Sequence, residues 1–168
     1  MITIPLALLP PDPAIRLRPA RLTDVEALHA ACWPGRAFDV VYHLILQAQR
    51  NAEARRGLGL VATDDRDQPV GFGQFALWPT CAEISDLVVS EAQRGRGLGT
   101  AIIQGLIQEA QRSRATAFEI GAALSNPRAV SLYRRLGFAD SHTILVNLGS
   151  GREPVLFLRL ELPQAGGG

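Results

Sequence analysis

The chain has 168 residues, an apolar content of 47% and a formal net charge of +1, so one domain with a sizeable core is the expectation. The near-neutral charge argues against a dedicated nucleic-acid binder, which carries a basic excess. No apolar run approaches the roughly 18 residues of a transmembrane helix, so no membrane partner is expected. Two cysteines, Cys32 and Cys81, are too few for a disulfide framework and fit a reduced, cytoplasmic protein. All 17 basic residues are arginine, a bias that a GC-rich genome produces. The absence of lysine excludes a Walker A loop, a Schiff base and a pyridoxal phosphate site.

In chain order, "MITIPLALLPPDP" is apolar but short, broken by proline and without a basic n-region, and residues 1–14 read as an N-terminal arm rather than a signal peptide. "AIRLRPA" (residues 14–20) alternates apolar and basic residues and predicts a first strand. Thr23 and Glu26 form a capping box at the start of a helix through "TDVEALHAACW". Residues 38–56 carry a helical stripe at Val40, Val41, Leu44, Ile45 and Ala48. "GLGLVATD" and "PVGFGQFALW" flank the turn "DRDQ" and predict a hairpin. "CAEISDLVV" (residues 81–89) is the next strand.

A glycine loop follows, then a helix with Leu98, Ile102, Ile103, Leu106, Ile107 and Ala110 on one face. "TAFEIGAAL" reads as a strand. "SNPRAVSLYRRLGF" is a short helix marked at both ends, with Asn126 as N-cap, Pro127 at the first helical position and Gly137 past the end. "TILVNLG" and "PVLFLRLEL" close the fold as two strands. "PQAGGG" (residues 163–168) reads as a disordered tail. The order β-α-α-β-β-β-α-β-α-β-β fits a single α/β (α+β) domain over residues 15–162, with one mixed sheet of about seven strands and helices on both faces.

The stretch "VVSEAQRGRGLGTAII" runs from strand end through loop to helix N-terminus. Backbone N–H groups and the helix dipole there make an anion site, and Arg94 and Arg96 add charge-assisted donors. A pyrophosphate suits that donor density. The Gly-Lys-Ser/Thr of a Walker A loop is absent. The Gly-x-Gly-x-Gly spacing, in mid-chain after an antiparallel-looking meander, does not match the dinucleotide fingerprint.

Arg94-Gly95-Arg96-Gly97-Leu98-Gly99 closely resembles the coenzyme A loop of the GNAT superfamily of N-acetyltransferases. "NPRAVSLYRRLGF" (residues 126–138) resembles the Asn-x-x-Ala-x-x-Leu-Tyr-x-x-x-Gly-Phe helix of the same superfamily, and the element order agrees over nearly the whole chain. Glu91 departs from the proline that many members carry there, a change in loop stiffness rather than in chemistry.

The resemblance implies a GNAT fold with a splay between two central parallel strands that receives the pantetheine arm of acetyl-CoA. Leu87, Val88 and Val89 would offer backbone groups to that arm, with the Leu87 N–H as the donor to the thioester oxyanion. Arg94, Gly95, Arg96, Gly97, Leu98, Gly99 and Thr100 would hold the pyrophosphate. Asn126 would contact the pantetheine through its amide, act as N-cap, or do both. Tyr133 would protonate the leaving thiolate; otherwise it is a core aromatic beside Leu132 and Leu136. No metal is implied. His29 and Cys32 sit three apart without a zinc pattern and read as packing, as does His43, and Cys81 has no histidine base beside it for a covalent route.

An amine is protonated at neutral pH and needs a base. Glu83 stands eleven residues before Arg94, where some members carry a catalytic glutamate. It lies about 13 Å along the strand from Leu87, so a relaying water is expected. Otherwise Glu83 is a surface residue paired with an arginine. Glu119 is the second candidate, and Asp86 alternates to the opposite face unless a bulge intervenes.

Direct acetyl transfer to a primary amine is the leading reading. A non-catalytic CoA-binding sensor and an acyltransferase for longer acyl-CoA donors are the alternatives. The acceptor, a small molecule or a peptide or protein amine, is left open, with "CWPGRAFDVVYHL" expected on its side of the site. The apolar last strand is suited to pair or exchange with a second chain, which makes a homodimer one expectation.

Overall fold

The structure is a computed structural model and describes residues 3–163. Apart from Pro163, the tail expected at residues 163–168 lies outside the described residues. Seven strands form one sheet in the order β1-β2-β3-β4-β5-β7-β6: β1 (Arg16–Pro19), β2 (Gly57–Thr63), β3 (Pro69–Leu77), β4 (Ala82–Val89), β5 (Ala117–Ala123), β6 (Ala139–Asn147) and β7 (Arg152–Glu161). Every neighbouring pair is antiparallel except β4 and β5, which run parallel. The helices are α1 (Val25–Cys32), α2 (Phe38–Glu53), α3 (Leu98–Arg112) and α4 (Pro127–Leu136).

Two cores form because β2 and β3 are covered on both faces, and this makes their sequences almost continuously apolar. On one face, Val25 and Leu28 of α1 and Val41, Ile45 and Ala48 of α2 pack on Val61 and Phe72. On the other, the expected α3 stripe from Leu98 to Ala110 is buried in full against Leu60, Phe75, Ile84 and Phe118. Each large side chain buried there contributes about 1.5–3 kcal/mol. The N-terminal arm is docked behind α3. Its short turn Leu6–Leu8 buries Ala7 completely, and the Leu6 carbonyl accepts a hydrogen bond from Gln104 Nε2 at 2.9 Å.

Several expectations are corrected. The Thr23/Glu26 capping box does not form. The chain first makes a tight turn at Leu22–Asp24, and the Asp24 carboxylate accepts from the Arg21 N–H at 2.8 Å and from Arg18 at 2.8 and 2.9 Å. A nearby guanidinium gives Asp24 more than a generic cap would. Val40 is 50% exposed, outside the buried stripe of α2. That helix stops at Glu53 rather than Arg56 because Arg55 takes a left-handed conformation (φ 56°). β6 starts four residues before "TILVNLG". The last strand, β7, is paired on both sides, by β5 and β6, so the free edge belongs to β6, where Ile144 and Leu145 are exposed.

Candidate active site

The parallel pair β4–β5 is short. Ala82, Glu83 and Ile84 pair with Phe118, Glu119 and Ile120, and beyond Ile84 the two strands no longer pair. A cavity of about 200 Å³ opens where they part. It is lined by Ile84 to Leu87 of β4, Ile120 to Ala123 of β5, and Asn126, Ala129 and Tyr133 at α4. The splay expected between the two central parallel strands is therefore present. Of the site residues named from sequence, Leu87, Asn126 and Tyr133 meet in this cavity. Val88 and Val89 continue β4 past it, Val88 packing toward α1 and α2 and Val89 toward α3.

The glycine loop lies between β4 and α3. Gly95 and Gly97 have φ of 77° and 79°, and Gly97 is the N-cap of α3. A Cβ at either would meet nothing within 4 Å, so backbone conformation rather than space requires glycine there. Arg94 and Arg96 are exposed, with Arg96 reaching Gln93 at 3.4 Å. The Gly99 position sits within 4 Å of Leu132, Val89 and Leu87, which brings the first turn of α3 beside the cavity. Leu98 is buried and Thr100 half-buried at that turn. An α-helix of 15 residues thus presents its N-terminal donors next to the gap.

α4 is positioned by the caps read from its sequence. Asn126 Oδ1 accepts from the Ala129 N–H at 3.3 Å, Pro127 opens the helix, and Gly137 ends it at φ 108°. These caps aim Tyr133 inward. Tyr133 is 6% exposed, and burial pushes its phenol up to about 12. The phenol is therefore protonated throughout the neutral range.

Glu83 does not line the cavity. It lies at the paired end of β4, register-matched to Glu119. Burial, followed by the charge of Glu119, raises its carboxyl above the usual range, with the Trp78 side chain opposing and Asp86 adding to the rise. Arg159 approaches Glu119 at 3.6 Å and holds Glu161 at 3.0 Å, and among the described residues no arginine is paired with Glu83. The Cys81 thiol beside them is raised by burial first and by Glu119 second. A carboxyl raised in this way is a stronger proton acceptor than an ordinary glutamate.

A bulge changes the reading of Asp86. Gln74 pairs with Ser85, yet Phe72 pairs with Val88, so β4 holds one residue more than β3 across this step. Asp86 absorbs it at φ 56°. Ala82 and Ile84 face α3 and α4 before the bulge, and Leu87 and Val89 face them after it. Asp86 borders the cavity, and its Oδ2 accepts from Gln74 Nε2 at 2.7 Å and Ser85 Oγ at 3.2 Å. Alternation alone could not find this. The only sequence signal was a cavity-forming strand with a residue that tolerates positive φ.

His29 and His43 are engaged in local contacts: His29 Nε2 meets the Arg36 carbonyl and His43 Nδ1 the Asp39 carbonyl, both at 2.7 Å. Burial pushes the Cys32 thiol up to about 11, with Arg94 pulling it back.

Comparison with known proteins follows the same lines. The sequence model described as the acetyltransferase (GNAT) family matches residues 22–138. An L-methionine sulfoximine/L-methionine sulfone acetyltransferase of Pseudomonas paraeruginosa is 32% identical over 101 residues, 56% of this chain and 59% of that protein. The chain thus spans somewhat over half the length of this curated relative. RimL, a ribosomal L7/L12 α-N-protein acetyltransferase solved with coenzyme A, superposes with a TM-score of 0.76 at 17% identity, covering 91% of this chain and 97% of that one. A phosphinothricin acetyltransferase of Sinorhizobium meliloti solved with acetyl-CoA gives 0.71 at 17% identity, covering 90% of each. With the splayed parallel pair, the glycine-capped helix and a family match over most of its length, the chain belongs to the GNAT acetyltransferase family.

Proposed function

We propose that this protein transfers the acetyl group of acetyl-CoA directly to a primary amine, within a single catalytic domain over residues 15–162. The observation that carries the reading is the cavity between β4 and β5, which gathers Leu87, Asn126 and Tyr133 with the first turn of α3 alongside. Arg94 to Thr100 would hold the pyrophosphate by backbone N–H groups, the helix dipole and two guanidinium groups. Leu87, Val88, Val89 and Asn126 would hold the pantetheine.

In this reading the amine loses a proton through water to Glu83, and its lone pair attacks the thioester carbon. The carbonyl oxygen becomes an oxyanion that accepts from the Leu87 N–H. The C–S bond then breaks. The sulfur takes a proton from Tyr133, which regains one as the new amide nitrogen sheds its second. An ordinary thiol titrates near 8.5, well below the phenol, so Tyr133 acts first as a hydrogen-bond donor. Full transfer requires a site that, once closed over the pantetheine, raises the leaving thiol toward the phenol. The raised carboxyl of Glu83 and the inward-facing phenol favour turnover over a silent CoA-binding sensor. Two free cysteines fit a reducing compartment, and we assign the protein to the cytoplasm.

The test is an amine panel that includes methionine sulfoximine, spermidine and N-terminal peptides, read by thiol release and by the mass of the acetylated product. Amine-dependent release supports the reading. Tight acetyl-CoA binding with the thioester intact against every amine would establish the sensor instead, and faster release from longer acyl-CoA donors would change the donor.

A further inference from the structure

Resting on the acetyl-transfer reading, we propose that Asp86 is the docking group for the acceptor's ammonium, with its free oxygen Oδ1 as the contact atom and Gln74 as the residue that positions it. Three observations converge. First, the bulge places Asp86 at the cavity border next to Leu87, the residue whose N–H would take the thioester oxygen. Amine and carbonyl are thereby received at adjacent positions of one strand, the arrangement that turns a bimolecular attack into a near-attack geometry. Second, the backbone at Asp86 is held at φ 56°, a conformation that costs free energy in a residue other than glycine and that clusters at functional sites.

Third, the carboxylate is held from one side only. Gln74 Nε2 and Ser85 Oγ both donate to Oδ2. Gln74 is 8% exposed, so its amide is a nearly buried donor committed to that oxygen. Among the described residues no hydrogen bond reaches Oδ1 and no arginine pairs with Asp86. A carboxylate accepts on both oxygens, and the fixed orientation leaves Oδ1 as the open acceptor. An alkylammonium, a compact cation with three N–H donors, fits a single oriented carboxylate oxygen. Glu83 cannot fill this role from the paired end of β4, outside the cavity lining. The division of work is then recognition at Asp86 and proton acceptance at Glu83.

The experiment uses ethylamine, a primary amine with no other recognition group, as acceptor and acetyl-CoA as donor. Asp86→Asn keeps a carbonyl oxygen for Gln74 and Ser85 and replaces the free oxygen by an N–H donor, so folding is preserved while the ammonium is refused. The KM for ethylamine is expected to rise about 10- to 100-fold, the range for a charged hydrogen bond, with the KM for acetyl-CoA unchanged. Gln74→Met, which leaves the carboxylate to Ser85 alone, is expected to raise the ethylamine KM by a smaller factor at near-normal kcat. An ethylamine KM unchanged in Asp86→Asn overturns the docking role, and one unchanged in Gln74→Met overturns the positioning role. Failure of the unaltered protein to acetylate ethylamine while it acetylates another amine of the panel also overturns the proposal, because Oδ1 is taken to recognise the ammonium alone, whereas acetyl-CoA binding with no amine acetylated overturns the acetyl-transfer reading. Failure to bind acetyl-CoA overturns that reading as well.

Discussion

At the scale of single residues, the proposed chemistry rests on two side chains whose environments move them in useful directions. Glu83 is raised by burial and by Glu119. A base works only when deprotonated, so its contribution is present above the raised value and is lost as pH falls through it. The acid limb of kcat/KM is therefore expected above the usual carboxylate range, and Glu83→Gln should abolish that limb along with most of the rate. A Glu83→Gln profile with the same acid limb as the parent would remove Glu83 as the base. Tyr133 is buried and protonated. Tyr133→Phe keeps the packing of the ring beside Phe138 and removes only the hydroxyl. It is expected to lower kcat by about 10²-fold or more, the usual scale for a positioned acid, while the acetyl-CoA Kd from calorimetry stays the same. An unchanged kcat would return Tyr133 to a purely structural role.

At the scale of elements, legibility followed how local the determinant was. α4 could be read to its ends because Asn126, Pro127 and Gly137 act within their own turns. The end of α2 could not, because Arg55 takes a glycine-like conformation without being glycine. The capping box at Thr23 lost to Asp24 because Arg18, on β1, supplies a partner that the helix sequence does not contain. The β4 bulge is defined only by pairing with β3, so the face of Asp86 could be read only conditionally, as opposite to Glu83 unless a bulge intervened, and one does.

The Arg18–Asp24 pair has a testable cost. Asp24 is largely buried; burial alone would raise it, but Arg18 and the Arg21 N–H outweigh burial and hold it below the usual range. Its stabilisation is thus complete above the ordinary carboxylate pKa and is lost as pH falls through the lowered value. Asp24→Asn is expected to cost about 3 kcal/mol by denaturant titration at neutral pH, because Arg18 loses its buried partner. The difference from the parent should vanish in strong acid. For α3, Gly97→Ala forces a side chain into the left-handed region at about 1–2 kcal/mol. Calorimetry should show weaker acetyl-CoA binding, whereas unchanged affinity would detach the loop from the donor site.

At the scale of the whole molecule, strand order and the short parallel pair decide where chemistry can occur. β5 is hydrogen-bonded to β7 along its length but to β4 over only three residues, so the sheet opens at one place. The loop that follows β4 caps α3 beside that opening. Both features were legible as two motifs at the proper separation, and the fold supplies their juxtaposition. The acceptor side was not legible, because the elements expected to form it, α1, α2 and the β6–β7 hairpin, carry residues that answer to packing and to a ligand the sequence does not name. None of the described helices is long and apolar enough to cross a membrane.

The central claim is that this opening is a donor site for acetyl-CoA, and thermal unfolding with and without acetyl-CoA tests it most directly. A ligand at a hundredfold excess over its Kd adds about 2.7 kcal/mol, so Tm should rise by roughly 5–10 °C for a chain of this size. A Tm that stays unchanged at millimolar acetyl-CoA would contradict the account.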